Sequence, residues 1–211
     1  VRIMVDKITE FLTNKIRKEM PEIDDKRAEV INYGLQILVG EVPKFFILLG
    51  VAYILGVFKL SLITFLILVP YRGFSGGFHL KTHMGCIIST SAFYCGITIL
   101  SKTIVMNFIV KYIITILLAI FGITMIKKYA PADTEDVPIL SKKVRKQKQI
   151  LSYISFIIGL AIALVIKNNI ISNIIIFGYL MQTCMITKLA YRLSNNKYGY
   201  EVYQNTSEQM S

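Results

Sequence analysis

The segment LSLITFLILVPYRGFSGGFHLKTHMGC, Leu60–Cys86, decides how this chain folds. Leu60 to Val69 carry no charge and are dominated by Leu, Ile, Val and Phe. A helix rises about 1.5 Å per residue and a hydrocarbon core is about 30 Å thick, so this run crosses only about half of it. It must either borrow residues around Pro70 or enter as a partial span packed against other helices. Irregular backbone at membrane depth is tolerated only inside protein or beside water. The glycine-rich continuation therefore suits a wet pit in the membrane surface.

The rest of the chain supports a membrane setting. Of 211 residues, 54% are hydrophobic, and they fall in blocks of membrane-spanning size. Apolar blocks run over 42–58, 60–69, 84–100, 103–126, 150–166 and 170–186. Before them, residues 2–19 set Ile3, Ile8, Phe11, Leu12 and Ile16 near helical spacing among basic residues. This reads as an amphipathic helix in the membrane interface, broken at Pro21. A second amphipathic helix is expected from Asp24 toward Gly40. The first twenty residues have no uninterrupted apolar core, so no cleavable signal peptide is expected. The expected fold is thus an all-α integral membrane protein with about six membrane helices, one short or partial, after two amphipathic interfacial helices. Its expected regions are 1–41 at the interface, 42–190 in the membrane and a tail over 191–211. The membrane region contains the stretch 70–86 and the basic loop 127–149.

Charge orients these segments. The net charge is +11. Residues 1–41 and the loop 127–149 each hold seven Lys and Arg, whereas Lys59, Lys102 and Lys167 stand alone in their connections. Six crossings alternate rich and poor connections, with both termini, 70–86 and 127–149 in the cytoplasm. Such a distribution needs no nucleic acid to explain it, and no nucleic-acid motif is present. The three cysteines, Cys86, Cys95 and Cys184, make no disulfide framework.

No acidic residue lies between Glu41 and Asp133, or between Asp136 and Glu201. Paired-aspartate proteolysis and zinc proteolysis of the His-Glu-x-x-His kind are therefore excluded, and ion-coupled transport loses its usual acids. No metal and no cofactor is expected. Lys111, within a span, is read as reaching toward the outer surface.

Both histidines, His79 and His83, precede Cys86 closely. A thiol becomes a strong nucleophile when a neighbouring imidazole takes its proton. Helical spacing favours His83, one turn away; His79 is two turns away, or nearer if Gly76-Gly77 folds the chain back. Cys95 and Cys184 lie mid-span and read as packing residues. Glu41 is the one acid at a nearby span entrance and a weak third member.

The stretch Arg72-Gly-Phe-Ser-Gly-Gly-Phe-His79 followed by Cys86 resembles the accessory gene regulator B family, membrane cysteine endopeptidases of Gram-positive quorum sensing. The loop Tyr129-Ala-Pro-Ala, followed by the pair Pro138-Ile139, looks like a second hallmark of that family. The resemblance implies that Cys86 is the nucleophile and His79 its base, with His83 second choice. Arg72, Ser75, Gly76 and Gly77 are implied to bind substrate or support the loop. Arg72 could hold an acidic group or orient the loop.

The resemblance also implies a substrate: a small precursor peptide with an amphipathic leader, a central cysteine and an acidic carboxyl tail. Attack by Cys86 would expel the tail and leave a thioester. The precursor's own cysteine could then take over the acyl group as a cyclic thiolactone, an exchange between thioesters that is nearly balanced in energy. Two other readings stand beside this one: a peptide exporter or transporter without protease activity, and a metal-binding scaffold using His79, His83 and Cys86. Oligomeric state stays open, a homodimer being the form considered.

Overall fold

The computed structural model describes residues 2–20, 22–78, 80, 82–134, 139 and 141–201. Among them are eight helices and no strand: α1 Arg2–Glu19, α2 Asp25–Ile54, α3 Phe58–Ser75, α4 His83–Thr103, α5 Phe108–Tyr129, α6 Lys142–Val165, α7 Asn169–Met185 and α8 Lys188–Leu193. Four are long and apolar enough to cross a membrane: α3, α5, α6 and the Met84–Thr103 part of α4. Val42–Ile54 within α2 and all of α7 are shorter apolar segments, so the six apolar blocks of the sequence are all helical.

One boundary differs from the sequence reading. The second amphipathic helix and the first apolar block form one helix, α2, with Pro43 inside it. Proline removes a single N–H donor, and the flanking turns carry the helix through. Its start is as expected: Asp24 caps it by accepting a hydrogen bond from the Arg27 amide at 2.8 Å. Of the two expectations for the short block, the first holds: α3 continues through Pro70 to Ser75, which gives it the residues it needed.

Helix association in lipid gains little from the hydrophobic effect, so close packing and buried polar bonds must supply it. α7 is the axis of the bundle, touching α3, α4, α5 and α6. Ser172, Asn173, Gln182 and Thr183 are buried on it. Asn173 donates to the carbonyls of Ser101 (3.2 Å) and Ile104 (2.7 Å), satisfying orphan groups at the end of α4. Tyr71 of α3 is fully buried between the rings of Phe156 and Tyr179, and its hydroxyl pairs with Thr183 at 2.9 Å. Between α3 and α4, Thr64 and Thr98 share a 2.9 Å bond. On α5, Gly122 receives the Phe156 ring so closely that no side chain fits there. Outward, α5 and α6 expose Phe108, Ile113, Leu117, Ile120, Ile157 and Ile158, an apolar surface of a membrane protein.

The bundle has two ends. The contacts of Asn173 with Ser101 and of Lys111 with Asn169 gather the α4–α5 and α6–α7 connections at one end. There Lys111 is buried and donates to Asn169 at 3.3 Å, rather than reaching out to water as expected. The α3–α4 and α5–α6 connections meet at the other end, where Gly76 bridges Ala132 and Lys127, Lys128, Lys142, Arg145, Lys146 and Lys188 border one pocket.

Candidate active site at the end of α3 and α4

Each residue of the candidate site is set by a helix terminus. Arg72 lies in the last turn of α3 and Ser75 is its final residue. Gly76 closes the helix at φ 74°, and Gly77 follows at φ 142°; both are left-handed values that favour glycine. α4 restarts with Thr82 as its cap, whose hydroxyl accepts from the Gly85 amide at 3.2 Å. Cys86 then sits in the first turn of α4, half-buried, its amide bonded to the Thr82 carbonyl.

Cys86 lines a cavity of about 30 Å³ together with Arg72, Phe78, Leu80, Phe93, Tyr94 and Met185. Residue 79 lies outside the described residues, as do the side chains of His83 and Glu41. The base assignment and the metal-scaffold reading fall on these positions. Phe78 and Leu80, on either side of residue 79, both border the Cys86 cavity. Cys95 is buried in α4 and Cys184 half-buried in α7, and neither lines it.

Sequence reasoning missed Gln182. Its side chain is fully buried, donates to Ser75 Oγ (2.9 Å) and the Gly76 carbonyl (2.7 Å), and accepts from Arg72 Nη1 (3.0 Å). The signal available was an amide inside an apolar block, one of two there with Asn173, whose polar groups must find partners among neighbouring helices.

The two sequence motifs touch. The Tyr129-Ala-Pro-Ala segment, with its Ala130–Pro131 peptide cis, leaves α5 and runs parallel to Gly76. The Ala132 amide donates to the Ser75 carbonyl and the Gly77 amide to the Ala132 carbonyl, both at 2.8 Å. From behind, the Tyr191 hydroxyl donates to the carbonyls of Ala132 (2.8 Å) and Asp133 (3.2 Å). Burial, and then the neighbouring Tyr198 and Asp133, hold the Tyr191 phenol well above its usual range, so it stays a donor. Asp133 accepts from the Ile139 amide at 2.7 Å and pairs with Arg145 of α6; the Asp133 side chain is buried and that of Arg145 half-buried. Beyond this strap lies an open pocket of about 560 Å³, bordered by Lys127, Lys128, Lys142, Arg145, Lys146 and Lys188.

The family model for accessory gene regulator B matches residues 9–186. The chain belongs to the accessory gene regulator B family. Among curated relatives, an AgrB-like protein of Listeria innocua is 29% identical over 193 residues, covering 90% of this chain and 91% of its own length. An AgrB-like protein of Listeria monocytogenes is 28% identical with the same coverage. Accessory gene regulator protein B of Staphylococcus aureus (strain Newman) is 28% identical over 160 residues, 74% of this chain and 82% of that one. No solved structure matches the chain. The family's match spans both motifs, from α1 to the end of α7.

Proposed function

We propose that the protein is a multi-pass cysteine endopeptidase of the cell membrane, acting in quorum sensing. It removes the carboxyl tail of a small precursor peptide and promotes cyclisation of the remainder to a thiolactone. The observation that carries this reading is the shared cavity of Cys86 and Arg72 at the meeting point of the two family motifs. His79, flanked by two residues of that cavity, is the base, with His83 its second choice. The thiol gives its proton to the imidazole, and sulfur attacks the scissile carbonyl carbon. The C–N bond breaks, the tail leaves as an amine carrying that proton, and a thioester to Cys86 remains. The precursor's own thiol then attacks the thioester, re-forming the Cys86 thiol. Keeping water from the acyl-enzyme favours this transfer over hydrolysis.

The site faces the cytoplasm in this reading, because the end that carries it also carries the basic loop. The lysine-rich pocket beside the strap gives the acidic tail a complementary surface. The test is a trap. A precursor with its ring-forming cysteine changed to alanine is still cut, but its acyl-enzyme has no internal thiol to accept it. A hydroxylamine-sensitive adduct of enzyme and precursor amino-terminal part should accumulate, and be absent in Cys86→Ala. Full-rate cleavage to linear acid with no adduct would make the protein an ordinary hydrolase.

A further inference from the structure

Arg72 is a cation at the end of an apolar helix with no described carboxylate beside it; Asp133, the acid of the neighbouring strap, is paired with Arg145. What holds it is neutral. Its Nη1 donates to Gln182 Oε1 at 3.0 Å and to Met185 Sδ at 3.2 Å. A guanidinium is a rigid plane with five N–H groups, so fixing Nη1 on two partners restricts the plane. The Nε and Nη2 groups make no bond among the described residues, and Arg72 and Met185 both line the cavity that holds Cys86. Gln182 is itself fixed, because its Nε2 is spent on Ser75 Oγ and the Gly76 carbonyl. One buried amide thus ties three residues of the catalytic stretch to the central helix, and leaves a charged fork beside the thiol.

We propose that Gln182 is a positioning residue that makes Arg72 the anion-binding group of the Cys86 cavity. This deepens, and for its catalytic part rests on, the endopeptidase reading. When Cys86 sulfur bonds to the scissile carbon, the C=O electron pair moves onto oxygen. Arg72 donates a hydrogen bond to that oxyanion until the pair returns and the C–N bond breaks. A fixed donor at such a site stabilises developing charge without reorganising. Loose in its place, Arg72 would turn to water instead.

The first test needs no substrate. Full-length protein carrying Cys95→Ser and Cys184→Ser, in lipid nanodiscs, is alkylated at Cys86 with anionic iodoacetate and with neutral iodoacetamide. A held Arg72 favours the anionic reagent, so the ratio of the two rates should fall about fivefold in Arg72→Ala. Gln182→Met should lower it as far, and the double variant no further. An unchanged ratio in Gln182→Met overturns the proposal, and so does an equal slowing of both reagents, the mark of mere loosening. The second test uses precursor cleavage. Gln182→Met should lower kcat about tenfold or more with KM little changed. Gln182→Glu, which stays informative if the Met variant does not fold, should recover as pH falls, relative to the parent. Its protonated acid keeps an acceptor for Arg72 and one donor for the Gly76 carbonyl, whereas its carboxylate has no donor and repels that carbonyl. A flat ratio of the two pH profiles overturns the proposal. If the parent cuts no precursor, the endopeptidase reading fails, while the alkylation ratio still decides whether Gln182 sets the charge of this cavity.

Discussion

The carbonyl of Ala132 occupies the space where a side chain on Gly76 would begin. An added Cβ would stand only 2.8 Å from the Ala132 carbonyl carbon, at a residue whose φ is 74°. The loop between α5 and α6 can therefore lie on the catalytic stretch only because position 76 has no side chain.

Gly76→Ala should therefore push the strap away and abolish precursor cleavage, with a backbone cost of about 1–3 kcal/mol on top of the overlap. Gly73→Ala is the control: nothing lies within 4 Å of its Cβ position, and alanine suits a helix better by about 1 kcal/mol. Cleavage and thermal unfolding of purified protein check both. An active Gly76→Ala enzyme would mean the strap is dispensable.

Tyr191→Phe deletes the hydroxyl that holds the Ala132 and Asp133 carbonyls. Two buried acceptors lose a partner, so the loss of stability should be about 1–3 kcal/mol. Cleavage should fall with it, since the same carbonyl of Ala132 receives the Gly77 amide. A lower unfolding temperature with full activity would separate the strap from the site.

Arg145→Ala leaves the Asp133 carboxylate buried without its cation, which should cost about 3–5 kcal/mol. Adding Asp133→Asn removes the stranded charge while keeping an acceptor for the Ile139 amide. The double variant should therefore be more stable than Arg145→Ala alone. Unfolding midpoints that simply add would contradict the pairing.

Cys86→Ala and His79→Ala should each abolish cleavage with the protein still inserted, whereas His83→Ala should retain substantial activity. A dead His83→Ala beside an active His79→Ala would reverse the assignment of the base and favour local helical spacing.

Probe cysteines near Lys59, Lys102 and Lys167 should be labelled from outside intact cells. Positions in 127–149 should be protected. Labelling of that loop from outside would falsify the proposed orientation.

Residue types and run lengths alone mark a helical membrane protein with six apolar blocks, and the resemblance of its motif to a known family picks out Arg72, Gly76, Gly77 and Cys86 as one stretch. These are local properties: the length of an apolar run, the residue types at a helix end, the absence of acids. It also brought out the Tyr129-Ala-Pro-Ala segment, but as a separate motif. That Ala132 lies against Gly76, that Gln182 grips Arg72 and that α2 runs unbroken through Pro43 emerges only in the folded chain. The physical reason lies in the uniformly apolar helices. In water, hydropathy marks the face of a helix that turns inward. In lipid both faces are apolar, so the rotation of α7 that buries Gln182 at the centre is fixed by packing and by hydrogen bonds to residues far away in the chain.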